Sequence, residues 1–167
     1  MRAQNFIILL ILIVITKASF GQGETFTERA FGKIFKSSVM QKSNKKIEVG
    51  ANAWYFCNLD SSYYKNDTLN LYSSNYLKED CCEHIAWTFY KKNALVQNTS
   101  QRCKEPASAT PTTGFYIIKL NQRKDYLLLE LEKQGYKIDK FKILNIDEVL
   151  AGVGKKKSYK IGLLRLR

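Results

Sequence analysis

The sequence predicts a mainly β protein, an antiparallel up-and-down barrel of about eight short strands preceded by one amphipathic helix. Three observations carry this expectation. From residue 47 onward, apolar and polar residues alternate over short segments, the two-residue period of half-buried strands. Those segments are joined by brief polar turns with no helical pattern between them, which excludes a parallel α/β sheet. Near-sequential hairpins then favour a barrel over the alternative, a β-sandwich, because up-and-down topology needs no long crossover and closure removes exposed edges.

The first 21 residues stand apart from that domain. Arg2 is followed by an apolar run over 6–15 of the length of a secretory h-region, and Ser19-Phe20-Gly21 places small residues at −3 and −1 of a cleavage before Gln22. A cleaved signal peptide over 1–21 is expected, and with it a secreted or periplasmic location. No later apolar run is long enough to span a bilayer as a helix. The remaining 22–167 has the length of one domain, enough to bury a real core. Loss of Arg2 and Lys17 takes two charges from the formal +12 of the whole chain.

Residues 22–46 are expected to form the helix and a basic connector, and 47–167 the barrel. Within 23–43, Thr25 and Glu28 have capping-box spacing, and Phe26, Ala30, Phe31, Ile34 and Phe35 form an apolar stripe suited to plugging or packing across the domain. Strand 52–58 carries Trp54 and Phe56 on one face. After a polar, tyrosine-containing loop over 59–67, strand 68–73 alternates about Leu69 and Leu71. Strand 84–90 places Ile85, Trp87 and Phe89 on one face, turns at 91–93, and returns over 94–99. An exposed loop over 104–112 holds Pro106 and Pro111. Strand 114–120, with Phe115, precedes 126–132, where Leu127, Leu129 and Leu131 face inward and Glu130 and Glu132 face water. The apolar phase changes within 136–146, which calls for a bulge near Asp139-Lys140. Residues 147–153 fit a short helix or a strand, Lys155-Lys156-Lys157 a turn, and 159–166 the closing strand.

In an exported chain, an even number of cysteines points to two disulfides among Cys57, Cys81, Cys82 and Cys103. Hairpin arithmetic narrows the pairing. A two-residue turn at Lys92-Asn93 sets Cys82 opposite Cys103; a three-residue turn over 91–93 sets Cys81 there. Facing residues lie roughly 4.5–5.5 Å apart at Cα, within disulfide range. Cys103 is therefore expected to bond one member of the vicinal pair and Cys57 the other.

Trp54, then Thr68-Leu69-Asn70-Leu71, Trp87-Thr88-Phe89, Thr113-Gly114-Phe115-Tyr116, Tyr126-Leu127-Leu128-Leu129 and Tyr136-Lys137-Ile138 give strand lengths and aromatic placements over 52–146. In these the chain resembles the small secreted bacterial lipocalin-like proteins of the calycin type. The resemblance implies a barrel able to hold a small apolar molecule. Two departures stand out: Gly50 and Trp54 are too far apart for the family's Gly-x-Trp, and the chain ends in a strand-like segment where the family has a helix. No ligand residue is carried over.

Catalytic, metal and cofactor signatures are not evident. His84 sits at a strand start without a nucleophile motif and reads as a surface or strand-end residue. With one histidine and no CxxC, a zinc quartet has no ligands. Glu79, Asp80 and Glu83 lack the alternation of a calcium loop and read as a solvated acidic turn. The sequons Asn66-Asp67-Thr68 and Asn98-Thr99-Ser100 matter only in a eukaryotic secretory pathway. The basic excess falls in Lys42, Lys45 and Lys46, in Lys137, Lys140 and Lys142, in 155–157, and in Arg165 and Arg167. Gathered on one face, these would attract an anionic polymer or membrane surface.

The expected function is therefore non-enzymatic: a monomer that binds a small apolar ligand or serves as a rigid interaction module, or else a basic binder of an anionic polymer or membrane surface. Trp54, Phe56, Leu69, Leu71, Trp87, Phe89, Phe115, Leu127 and Leu129 are the inward candidates that would line a ligand cavity.

Overall fold

A computed structural model of the chain describes residues 27–39, 49–50, 52–73, 81–103, 108–109, 114–150 and 157–167. The expected signal segment, the connector lysines 42, 45 and 46, Glu79, Asp80, both prolines, and Lys155 and Lys156 of the expected turn lie outside the described residues. One helix, α1 (Glu28–Ser38), precedes nine strands: β1 (Trp54–Cys57), β2 (Thr68–Ser73), β3 (Glu83–Lys91), β4 (Ala94–Gln101), β5 (Ser108–Ala109), β6 (Gly114–Gln122), β7 (Leu127–Lys133), β8 (Tyr136–Leu150) and β9 (Lys157–Leu166). All strands but the two-residue β5 close into an eight-stranded antiparallel barrel.

From β3 to β9 the barrel strands pair in sequence order, and β9 meets β2 to close the ring. The order departs from a strictly sequential one at a single place: β1 lies between β2 and β3, antiparallel to both. β2 and β3 therefore run parallel to each other and are not hairpin partners. Residues 147–150, which fit two states as sequence, continue β8 as strand.

The expected change of phase in β8 takes the form of two bulges. Register slips beside Leu131, opposite Ile138, one residue before the expected Asp139-Lys140, and slips again at Leu144. Each slip ejects one apolar residue, and Ile138 and Leu144 are accordingly exposed while Phe141 and Ile143 stay inside. The turn from β7 to β8 puts Gln134 at φ 52° and Gly135 at φ 83°. Two consecutive positive φ values match the twist of the hairpin, and glycine takes the second without a Cβ clash.

Alternation fixes the core. Trp54, Leu69, Leu71, Ile85, Trp87, Phe89, Leu95, Leu127, Leu129, Phe141, Ile161 and Leu163 point inward and are almost fully buried. Phe115 is corrected: it lies on the outer face, 49% exposed, edge-on to Tyr90, and its neighbours Tyr116 and Ile118 take the inward places. The β6 register with β4 sets Phe115 opposite Val96 on the outside, a parity that aromatic character alone does not reveal.

The two disulfides are Cys57–Cys81 and Cys82–Cys103, with Cα separations of 5.7 and 5.1 Å. Cys103 bonds one of the vicinal pair and Cys57 the other, as the hairpin arithmetic requires. Register by itself would choose the other member: a bulge at Tyr90 sets Glu83 opposite Gln101 and so, continued, Cys81 opposite Cys103, yet Cys103 takes Cys82. β1 runs beside β3 with Cys57 opposite His84, and Cys81 is the thiol that reaches the β1 side.

Both ends of the barrel are closed. At one end α1 lies across the opening, and Thr27 Oγ1 accepts a hydrogen bond from Ala30 N at 3.3 Å, an N-terminal cap; Thr25 lies outside the described residues. At the other, the segment expected as a loop forms a turn (Leu59–Ser61) and a four-residue helix, α2 (Ser62–Lys65). Asp60 and Ser61 there take left-handed φ values of 52° and 60°, which turn the chain sharply and drive Tyr63 into the interior.

Candidate functional site

The barrel interior is filled. Eight of the nine residues expected to line a cavity are indeed buried together, but the space among Phe35, Trp54, Leu71, Trp87, Leu129, Ile161 and Leu163 is too narrow to admit a water molecule. A ligand inside the barrel would have to displace core side chains, each contributing about 1.5–3 kcal/mol by its burial.

The end under α2 is closed by a polar network. Tyr63 Oη accepts a hydrogen bond from Trp87 Nε1 at 3.1 Å and donates to Gln97 Oε1 at 3.3 Å. The Tyr63 amide donates to Asn58 Oδ1 at 2.9 Å, and Asn58 in turn donates to Glu83. Arg165, read from sequence as part of a basic surface, turns inward on β9. It lies between the Tyr63 and Phe141 rings, 5.5 and 5.3 Å from their centroids, and donates to the Tyr63 carbonyl at 2.9 Å. Asp139 faces it at 3.7 Å. Burial pushes the Tyr63 hydroxyl well above the usual tyrosine range, so it stays protonated as donor and acceptor. Arg165 Nε is the one buried polar atom of this group without a hydrogen-bond partner, since Asp139 stands beyond hydrogen-bond distance. The arrangement is a stopper.

Of the lysines singled out on β8, Lys137 is bound at 2.8 Å to Glu130, whose carboxylate the hydrogen bond holds below its usual range. Lys119 binds Glu132 at 2.9 Å. Glu130 and Glu132 do face out of the barrel, yet they are buried under these cross-strand partners rather than open to water. Lys142 lies over the Tyr126 ring at 5.2 Å. Among the described residues, no group of three or more His, Cys, Asp or Glu side chains gathers where it would hold a metal ion.

His84 is not the surface residue its strand-end position suggests. It is 4% exposed, on the outer face of β3 beside the edge of Tyr55, and neither ring nitrogen has a hydrogen-bond partner. The same face of β3 is covered near its other end, where Thr88 Oγ1 accepts from the Gly50 amide at 2.9 Å. Burial, and secondarily the Arg102 charge, lowers the His84 pKa below its ordinary 6.5. The unfolded chain then binds a proton that the folded one refuses, so stability falls as pH drops below about 6.5. His84→Leu, which removes an unpartnered buried imidazole, is expected to flatten that loss between neutral pH and the onset of carboxylate titration. Denaturant midpoints measured across this range check it; parallel pH profiles for the two proteins would refute the assignment.

A groove lies at the opposite end, between α1 and the rim. Phe31, Phe35, Phe89, Ile118 and Leu120 form the walls of a groove of about 640 Å³, and Arg29, Lys33 and Lys92 stand at its edge with Glu28 and Gln122. Its depth has a simple cause. Pairing of β6 with β4 stops at Ile117, where the β3–β4 turn ends, while β6 runs on to Gln122. The rim is notched there. α1 bridges the notch, from the Glu28 amide on Gln122 Oε1 at 3.3 Å to Ser38 Oγ, which accepts from Trp54 Nε1 at 3.0 Å. Phe35 anchors the helix, with ring centroids 4.4 Å from Phe89 and 5.2 Å from Trp54.

Of the nine expected lining residues only Phe89 reaches this groove. Phe31, Phe35 and Leu120 were legible as an apolar helix stripe and as a strand position, but their meeting depends on where α1 crosses the barrel. The two disulfides fit an oxidising, extracytoplasmic setting. No helix among the described residues is long and apolar enough to cross a membrane. Comparison with protein-family models, with curated proteins and with solved structures finds no match, and the reading of the site rests on its own geometry.

Proposed function

We propose that this protein is a secreted or periplasmic, non-enzymatic binding module, delivered by its N-terminal signal segment. Its ligand is a small amphiphile with an apolar tail and an anionic head. The groove under α1 carries this reading: an apolar cleft of about 640 Å³ with cations at its mouth. That volume lies within the range of sites that bury small ligands. Apolar walls recognise a hydrocarbon tail by area alone, while Arg29, Lys33 and Lys92 outnumber Glu28 at the edge and favour a carboxylate, sulfate or phosphate head. The filled interior supports a site outside the barrel rather than within it. Likeness to lipocalin-like proteins then extends to the closed eight-stranded wall and to the ligand class, with the ligand held under the helix.

Titration with a fluorescent fatty-acid probe tests this. Enhancement by the protein and displacement by a long-chain fatty acid are expected, with the fatty-acid methyl ester competing less well. Leu120→Trp, which fills the groove from a half-buried strand position, is expected to weaken the probe at least about tenfold while leaving the far-UV spectrum and the thermal midpoint native. A probe that does not bind, or that binds Leu120→Trp unchanged, would refute the reading.

A further inference from the structure

We infer that the α1 end of the barrel docks on the surface of an anionic phospholipid bilayer, so that the groove opens against the source of its ligand; this rests on the amphiphile reading above. The charge on this side is gathered and unpaired. α1 presents Arg29 and Lys33, the β3–β4 turn Lys91 and Lys92, and the β6–β7 turn Arg123 and Lys124, all exposed. Glu28 and Asp125 are the acids on the same three elements. None of the six cations makes an ion pair among the described residues. On the barrel wall, by contrast, Lys119 and Lys137 are bound to Glu132 and Glu130. Elsewhere on the rim, β8 carries Asp147, held by Lys160, and Glu148.

An unpaired cation set spread over three elements keeps its full charge for a partner, and a leaflet of anionic headgroups offers a matching surface. The apolar groove among these cations separates a bilayer from a polyanion. A polysaccharide or nucleic acid has nothing to place in a hydrocarbon-lined notch, whereas a lipid has a tail.

The test is sedimentation of the protein with phosphatidylcholine vesicles, with and without phosphatidylglycerol. Binding is expected to the anionic vesicles only and to fade as salt is raised, since exposed charges are screened over about 10 Å at 0.1 M salt. Lys91, Arg123 and Lys124 lie outside the groove. Reversing them together (K91E, R123E, K124E) is expected to lower vesicle affinity by roughly a hundredfold and to leave the soluble fatty-acid probe unaffected. Reversal of Lys65 and Lys133 at the α2 end serves as the control and is expected to change neither readout. Leu120→Trp separates the two claims, since it is expected to lose the probe and keep the vesicles. Equal sedimentation with neutral vesicles, an unaffected triple variant, loss of the probe in that variant, or salt-dependent retention on heparin without vesicle binding would each overturn the inference.

Discussion

Phe35→Ala is expected to destabilise the protein by about 3–5 kcal/mol, the cost of deleting a buried aromatic ring. At this chain length that corresponds to a drop of roughly 10 °C in Tm. Phe35 is 5% exposed and stacks between Phe31, at 4.1 Å, and Trp54, while meeting the Phe89 edge. Its loss removes the side chain that anchors α1 to the strands, so more than core volume is forfeited. Tryptophan emission is expected to shift to the red as the helix loosens over Trp54, and probe binding to fall in parallel. Phe115→Ala is the comparison: that ring is 49% exposed on the outer wall, and its removal is expected to cost no more than about 0.5 kcal/mol. Thermal unfolding of the two variants separates the roles. Equal losses would contradict the placement of α1 as an end plug.

Removing the Cys57–Cys81 bridge, by replacing both cysteines with alanine, is expected to cost about 3 kcal/mol through the freedom returned to the unfolded chain. The Cys82–Cys103 bridge should cost about the same, because the sequence separations, 24 and 21, are nearly equal. Their local effects differ. Cys57 ends β1 immediately before Asn58, whose amide donates to the Glu83 carbonyl at 2.8 Å and whose side chain receives the Tyr63 amide. Without Cys57–Cys81, hydrogen exchange should quicken first around Tyr63 and Asn66, where the polar stopper is held. Without Cys82–Cys103, it should quicken in the open ends of β3 and β4. Denaturant unfolding with exchange mass spectrometry reads both effects. A midpoint unchanged on reduction would show the bridges to be energetically idle.

Much of the architecture was legible in residue order. The alternation of Leu127, Leu129 and Leu131 and of Trp87 and Phe89 defined inward faces correctly, because a strand with one face in the core must keep a two-residue period. The cysteine pairing was legible down to one ambiguity because facing positions in a hairpin are fixed by its turn. The burial of His84 at its strand end and the exposure of Phe115 share one cause. Exposure on the outer wall depends on what lies over it: neighbours cover His84, while Phe115 meets only the Tyr90 edge among the described rings and stays half exposed. Arg165 was read as surface because arginine seldom enters an interior, yet two aromatic rings, a backbone carbonyl and Asp139 supply the partners that let it do so.

The candidate site was legible only in its parts. An amphipathic stripe on α1 says that the helix must cover something apolar, not what it covers. Local pattern sufficed for a mainly β domain with a helix ahead of it, two disulfides, and the inward faces of the strands carrying Trp54, Leu69, Trp87 and Leu127, because period, turn chemistry and cysteine spacing act over a few residues. Tertiary structure alone decided that β1 sits between β2 and β3, that the core leaves no room inside, and that β6 outruns β4 to leave a notch under α1. Those outcomes depend on register and strand length compared across segments distant in sequence. A hydrophobic pattern says which face a strand buries, and closure of the barrel decides which strand lies beside it.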